Sequence, residues 1–300
     1  MRQIAYETLD VFAAQRFGGN PLGVVADARG LSDSEMQSIA AEFNYSESTF
    51  VSPPRDPGNT ARVRIFTPTN EIPFAGHPNV GTAFALGRAG AVFGKTTGDA
   101  MRFEEDAGLV EVTLQRRAGV VVGASIRAPK DLEIGDEISP ATIAACASLR
   151  SGDVATARHQ PVVASVGLPF AIAELSSLEA LARAKPNTPA FEDASTKHPH
   201  PDDRFSLFLY ARTGEGKVRA RMFAPLNNIQ EDPATGSASA ALGGLLSSLS
   251  KDGALTLEIE QGIEMGRPSF IGVTVAMQGG KRAISVAGGC VPVMRGVVEL

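Results

Sequence analysis

What this chain lacks narrows its chemistry before any motif is read. It has only two cysteines, Cys146 and Cys290, too few and too far apart for a disulfide framework or a thiolate metal site. Both read as small buried apolar residues. Positive charge is not in excess: Lys and Arg number 28 against 33 Asp and Glu, a net charge of −5, which argues against a general nucleic-acid surface. No apolar run approaches the about 18 residues of a membrane span, and MRQIAYETLDVF lacks the basic-then-apolar order of a secretory signal. The expectation is a cytoplasmic protein with no membrane and no nucleic-acid partner. Histidines are few, four in all. His198 and His200 lie in HPH with no supporting ligand spacing and read as part of a solvated loop, and His159 stands alone beside a strand as a structural or surface residue. No metal and no organic cofactor are expected.

What is present is an ordinary globular composition, 43% hydrophobic and 20% charged, over a length suited to two domains of about 150 residues each. An internal repeat makes that division concrete. RIFTPTNEIPFAGHPNVGTAFAL, starting at Arg64, is answered by RMFAPLNNIQEDPATGSASAALGGLL, starting at Arg221. Arg64, Phe66, Pro68, Asn70 and Ile72 recur as Arg221, Phe223, Pro225, Asn227 and Ile229 at one constant offset. After a two-residue shift HPNVGTA answers DPATGSA, so that His77 in one copy stands where Asp232 stands in the other. GNPLGV near the start is echoed more loosely by GLPFAI from Gly167.

Local patterns place these motifs. AYETLDVF and LGVVA read as strands joined across Gly-Gly-Asn-Pro. Ser32 or Asp33 caps a helix carrying Glu35 in its first turn and Met36, Ile39, Ala40 and Phe43 at helical spacing. NYSESTFV leaves that helix for a strand, with Ser46 and Glu47 at the junction. VEVTL and GVVVGASI continue as strands, as do SLFLY, VRARMF, LTLEIE, FIGVTVAM and AISVAGG, and SSLEALARA reads as a helix. The segment 188–204, TPAFEDASTKHPHPDDR, is rich in proline and polar residues and reads as a loop. Many strands and few helices predict an α+β fold of two similar lobes, not a doubly wound sheet. AGAVFGKT, from Ala89, imitates a relaxed phosphate-binding loop, but a helix precedes it and strands follow, the reverse of what such a loop needs.

The two repeat helices are small-residued on most faces, which predicts burial all round inside a wrapping sheet. Each is read as starting just after a proline. Its first amides lack intrahelical partners and favour an anion by about 0.3 to 2 kcal/mol. His77 and Asp232 mark these mouths and are expected to meet across one cleft. Asp232 also reads as a helix cap, with Glu231 beside it. Glu47, from the residues alone, is either a solvated loop acid or a candidate carboxylate base.

DVFAAQRFGGNPLGVV, NYSESTFV, FTPTNEIPFAGHP, EDPATGSA and EQGIEMGRPS, in this order and over nearly the whole chain, resemble the PhzF family of phenazine biosynthesis, a branch of the diaminopimelate-epimerase fold. The resemblance implies two pseudo-symmetric lobes, each a β-barrel-like antiparallel or mixed sheet around a central helix. It places the first lobe at 1–119 with a returning C-terminal strand at 289–300, the second at 120–288, and the active site in the cleft between them. It also implies a homodimer. The family's catalytic glutamate falls on Glu47, its cleft histidine on His77 and its cleft aspartate on Asp232. Asn20, Ser46, Gly76, Gly236 and Ser237 fall on substrate-binding positions. Asn79 stands where threonine is more familiar in the family. Epimerases and racemases of this fold carry a cysteine at each helix mouth, and this chain has none there.

The function these features imply is a cofactor-independent isomerase that shifts a proton on a small carboxylated metabolite by general acid–base catalysis. The alternatives are an epimerase-like, racemase-like or lyase reaction on an amino-acid or hydroxyproline substrate, and a non-catalytic metabolite-binding protein.

Overall fold

The computed structural model describes residues 2–201 and 203–300. The chain divides into two compact units, residues 1–127 with 287–300, and residues 128–286.

The first unit opens with strand β1 (Gln3–Val11) and β2 (Asn20–Val25), followed by helix α1 (Asp33–Phe43), β3 (Glu47–Ser52), β4 (Ala61–Phe66) and the short β5 (Glu71–Ile72). Helix α2 (Gly76–Ala89) comes next, then a small hairpin of β6 (Ala91–Val92) and β7 (Lys95–Thr96), then β8 (Ala100–Glu105), β9 (Gly108–Arg117) and β10 (Val120–Arg127). The α1 boundary is written in its sequence: Ser32 accepts from the Glu35 amide while Glu35 reaches back to the Ser32 amide, a reciprocal capping box. The imitation phosphate loop is the β6–β7 hairpin.

The second unit holds β11 (Glu133–Glu137), α3 (Pro140–Cys146), β12 (Val154–Ala155), β13 (Val162–Ser165), β14 (Pro169–Leu175), α4 (Leu178–Arg183) and α5 (Thr188–Lys197). It continues through β15 (Leu207–Gly214), β16 (Lys217–Ala224), β17 (Ile229–Asp232), α6 (Gly236–Ser248), β18 (Leu255–Gln261) and β19 (Ser269–Gln278). The last strand, β20 (Lys281–Glu299), begins here and ends in the first unit.

In the first unit β1 runs antiparallel to β2, β2 parallel to β3, β3 antiparallel to β4, β4 parallel to β8 and β8 antiparallel to β9. The end of β20 runs antiparallel to β1, from Cys290 opposite Val11 to Glu299 opposite Gln3. With β9–β10 and β10–β20 pairing, these strands close an eight-stranded barrel. The second unit repeats the sequence of pairings: β13/β14 antiparallel, β14/β15 parallel, β15/β16 antiparallel, β16/β18 parallel, β18/β19 antiparallel. The echo of GNPLGV in GLPFAI is therefore topological, since β2 and β14 hold the same place in the two sheets. The fold is α+β, a sheet wrapped on a central helix in each unit.

The central helices are buried as their composition requires. Every residue of α2 from Gly76 to Gly87 is buried. A Cβ on Gly81 would overlap Leu22 and Val11, so only glycine lets this helix sit against β1 and β2. In the second unit, α6 is buried along most of its length against β13, β14, β18 and β19.

Three local expectations are corrected. The segment 188–204 is not all loop, because Thr188–Lys197 forms α5. Pro189 sits in its first turn, where a missing N–H costs nothing, and Phe191 and Ala194 present a buried i, i+3 pair. His198 accordingly closes that helix, its N–H donating to Ala194 O. Of the two repeat helices only α6 starts beyond its proline, at Gly236 after Pro233; α2 begins at Gly76 and takes in both His77 and Pro78. The N-cap of α6 is Thr235, so Asp232 is the end of β17 and not the cap.

The duplicated Arg-x-Phe motif has one structural meaning in both copies. Arg64 forks onto Glu71, and Arg221 onto Glu231 through Nε and Nη2 at 2.8 Å each. Each guanidinium also lies over the phenylalanine two residues on, 5.1 Å from the Phe66 ring centre and 4.9 Å from that of Phe223. The repeat thus ties a strand to the segment leading to each helix mouth.

Candidate active site

In the first unit the fold brings five of the expected residues together. Strands β2 and β3 run parallel with Leu22 opposite Glu47. Asn20 at the start of β2 therefore lies beside Ser46, whose Oγ donates to Asn20 Oδ1 at 3.1 Å. Glu47 follows as the first residue of β3, and its Oε2 is 3.6 Å from Nδ1 of His77, which with Gly76 forms the first turn of α2. His77 is only 6% exposed.

The electrostatics of Glu47 set it apart. Its Oε2 is buried and has no hydrogen-bond partner among the described residues. Burial pushes the carboxyl up to about 7, with the Ser46 hydroxyl pulling the other way. A carboxyl that titrates near neutrality and holds an unused lone pair is suited to taking a proton from carbon and giving it back. The Ala75 N-cap supplies no side-chain hydrogen bond to α2.

In the second unit Asp232, Gly236 and Ser237 gather at the mouth of α6. Asp232 is 8% exposed, and its Oδ2 accepts from the Thr235 hydroxyl. Sequence reasoning missed the residue that builds this loop, Gln261, which is fully buried at the end of β18. Its Nε2 donates to Asp232 O at 2.8 Å and to Thr235 Oγ1 at 3.0 Å, while its Oε1 accepts from the Thr235 amide at 3.1 Å. Gly262 follows with φ at +72°, and a Cβ there would crowd Pro233 O. The signal was present in the alternation of β18, which puts Gln261 on the same buried face as Leu257 and Ile259.

The cysteines take no part in these constellations. Cys290 is buried in the first unit, its thiol against Val80 O, and burial raises its titration far above neutrality. Cys146 ends α3 and is pushed up to about 12, by burial first and Asp193 second. Neither is a thiolate at neutral pH. His159, in the second unit, stacks on Tyr210 and meets its hydroxyl through Nε2 at 2.8 Å, a structural role.

In the first unit a sheet thus wraps a buried small-residue helix, with a buried carboxyl and a histidine at the helix mouth. The family model of phenazine biosynthesis-like proteins, PhzC-PhzF, matches residues 9–296, and the chain belongs to that family. It is 37% identical over 292 residues to an uncharacterized isomerase of Mesorhizobium japonicum, covering 95% of this chain and 94% of that one. It is 38% identical over 272 residues to the trans-2,3-dihydro-3-hydroxyanthranilate isomerase of Pseudomonas aeruginosa, covering 88% and 87% of the two chains. Among solved structures it superimposes on the PhzF-family phenazine biosynthesis protein of Bacillus anthracis with a TM-score of 0.89 over the full length of both chains, at 26% identity.

Proposed function

We propose that this chain is a cofactor-independent isomerase that moves a double bond in a small cyclic carboxylic acid by a proton shift, with Glu47 as the base and acid. The observation that carries the reading is the Glu47 carboxyl itself. It is buried, it titrates near 7, it lacks a hydrogen-bond partner on Oε2, and it stands 3.6 Å from His77.

In the first half-reaction the Glu47 carboxylate takes a proton from an sp3 carbon, and the C–H electron pair enters the neighbouring π system. In the second, the proton held by Glu47 is delivered to another carbon of that system. One C–H bond breaks, one forms, a double bond has moved, and the formula is unchanged. His77 and the first-turn amides of α2 steady the negative charge that develops between the two steps. Asn20 and Ser46 flank Glu47 and orient the substrate; Asp232, Gly236 and Ser237 keep the substrate-site roles that the family resemblance implies. The similarity to the Pseudomonas isomerase favours a dihydro-hydroxy aromatic acid as the substrate class. A cytoplasmic homodimer belongs to the same reading; no helix among the described residues is long and apolar enough to cross a membrane.

The test is turnover of trans-2,3-dihydro-3-hydroxyanthranilate in D₂O, followed by NMR, for the wild type and Glu47→Gln. Isomerised product from the wild type and none from the variant is the expected result. Equal turnover by both overturns the role of Glu47. Turnover of other cyclic acids but not this one overturns only the substrate.

A further inference from the structure

The two units differ at the closing ends of their central helices. In the first unit α2 stops at Ala89, and the ten residues 90–99 before β8 include the β6–β7 hairpin. That hairpin is a plug. Val92 is buried, Thr97 Oγ1 donates to Leu86 O in the last turn of α2, and Lys95 Nζ donates to Pro57 O in the β3–β4 connection at 2.9 Å. In the second unit α6 stops at Ser248, and only the six residues 249–254 precede β18, the strand that holds the place of β8. They turn without forming a strand. Between the end of α6, the β15–β16 turn and the start of β18 lies a cavity of about 140 Å³.

This cavity is apolar within and basic at its rim. Of its leucines, Leu257 is buried and Leu246 and Leu255 are half-buried. Arg158, Arg212 and Lys217 line it as well, all three exposed, and no acidic side chain does, in a chain whose net charge is −5. The direction of Arg212 follows from the alternation of β15. Leu207, Leu209 and Ala211 pack into the apolar cluster that holds Ile143 of α3, Leu181 of α4 and Phe191 of α5, so Phe208, Tyr210 and Arg212 face the other way, toward α6.

The structure gives Arg212 nothing to do. Lys217 Nζ is 2.8 Å from Glu258, and Arg158 is 3.7 Å from Glu174, whose carboxylate also accepts from the Tyr210 hydroxyl. Arg212 has neither an ion pair nor a hydrogen bond among the described residues. Nor is it needed to cap α6, because the closing carbonyls of that helix are already served. Leu245 O accepts from the Ser248 hydroxyl, Leu246 O from the Leu249 N–H, and Ser247 O from the N–H and hydroxyl of Ser250.

We propose that this cavity binds a one-ring aromatic monocarboxylate, the ring entering among Leu246, Leu255 and Leu257 and the carboxylate pairing with the Arg212 guanidinium at the rim. Size selects a single ring, since an apolar cavity of about 150 Å³ holds one benzene. Charge selects a carboxylate, whose two oxygens match the guanidinium fork. The thirteen residues of α6, about 20 Å, separate this end of the helix from the Asp232 mouth, so the ligand is not a substrate held at that mouth. The inference goes beyond the isomerase reading and does not depend on it.

The experiment titrates benzoate into the full chain carrying ¹³C-labelled leucine methyls and follows it by NMR. Nuclear Overhauser contacts from the benzoate ring to the methyls of Leu246, Leu255 and Leu257 are expected. Arg212→Gln is expected to weaken benzoate binding by about tenfold or more while keeping the melting temperature of the wild type, because Arg212 is exposed and holds no other group. Arg212→Lys, which keeps the charge and loses the fork, is expected to fall between the two. Benzyl alcohol, a ring without the charge, and acetate, a charge without the ring, are each expected to bind about tenfold more weakly than benzoate or worse. Benzoate contacts that miss these leucines, an affinity unchanged in Arg212→Gln, or acetate or inorganic phosphate binding as tightly as benzoate overturns the proposal. None of these readouts uses turnover, so a failure of the isomerase reading leaves them to judge the cavity alone.

Discussion

Nδ1 of His77 lies 3.6 Å from Oε2 of Glu47. That is too long for a hydrogen bond and short enough for charges to be felt. The acid consequently keeps its lone pair while its charge is watched by a histidine. On the proposed role of Glu47, Glu47→Gln removes the proton carrier and keeps the shape, so kcat is expected to fall by about 10² to 10⁴ with an unchanged fold. Steady-state kinetics and circular dichroism check this together.

The pH dependence follows from the same carboxyl. Glu47 must be ionised to take a proton, so kcat/KM is expected to rise with pH and level off above about 7. Stability runs the other way. Because the folded carboxyl is raised, its contribution is complete below the ordinary carboxylate range and is lost as pH rises through about 7. Thermal unfolding at pH 8.5 is expected to show Glu47→Gln more stable than wild type, by up to about 3 kcal/mol for a shift of this size.

Arg221 is 6% exposed, forks onto Glu231, and also donates through Nη1 to Leu181 O at 3.0 Å and Ala184 O at 2.7 Å. Arg221→Met leaves the half-buried Glu231 carboxylate and three backbone carbonyls, those of Leu181, Ala182 and Ala184, without this donor, and a loss of about 3 to 5 kcal/mol is expected in urea unfolding. Arg221→Lys cannot fork and is expected to recover only part of it.

Gln261 is the scaffold of the Asp232 loop. Gln261→Leu preserves the volume and removes three hydrogen bonds, so about 1 to 3 kcal/mol of stability is expected to go. If Asp232 acts on substrate, activity measured well below the new melting point falls as well.

The thiols make a sharp negative control. With both buried and raised, iodoacetamide at pH 7.5 is expected to leave the folded protein unmodified and fully active, and to label two sites only in denaturant. Mass spectrometry reads the outcome. Inactivation on labelling of a single thiol in the folded protein would restore a thiol mechanism.

Much of the fold was legible because its signals are local. The capping box at Ser32 and Glu35, the alternation in β4 and β9, and the small residues of α2 and α6 each state their structure within a few neighbours. The segment 188–204 misled because its prolines and acids speak for a turn, while the buried Phe191 and Ala194 speak for a helix only once α3 and α4 lie against α5. Glu231 was visible beside Asp232, yet its role was not. Its carboxyl answers an arginine ten residues earlier that only the β16–β17 pairing brings near.

By itself the sequence determined the duplicated architecture, the two helix mouths and the exchange of His77 for Asp232 between them, because a repeat needs no third dimension to be seen. Only the tertiary structure decided what the acids are. Glu47 and Glu105 are both glutamates at the end of a strand, each with a buried carboxyl oxygen that lacks a hydrogen-bond partner among the described residues, and nothing in their neighbours along the chain separates them from Glu104, which is only half-buried and whose carboxylate is held by Asn59 and the Arg55 and Asp56 amides. Burial distinguishes them, since the cost of keeping a charge out of water depends on what surrounds the carboxyl in space. That surrounding is assembled from β2, β3, β8 and α2, elements that the chain alone leaves far apart.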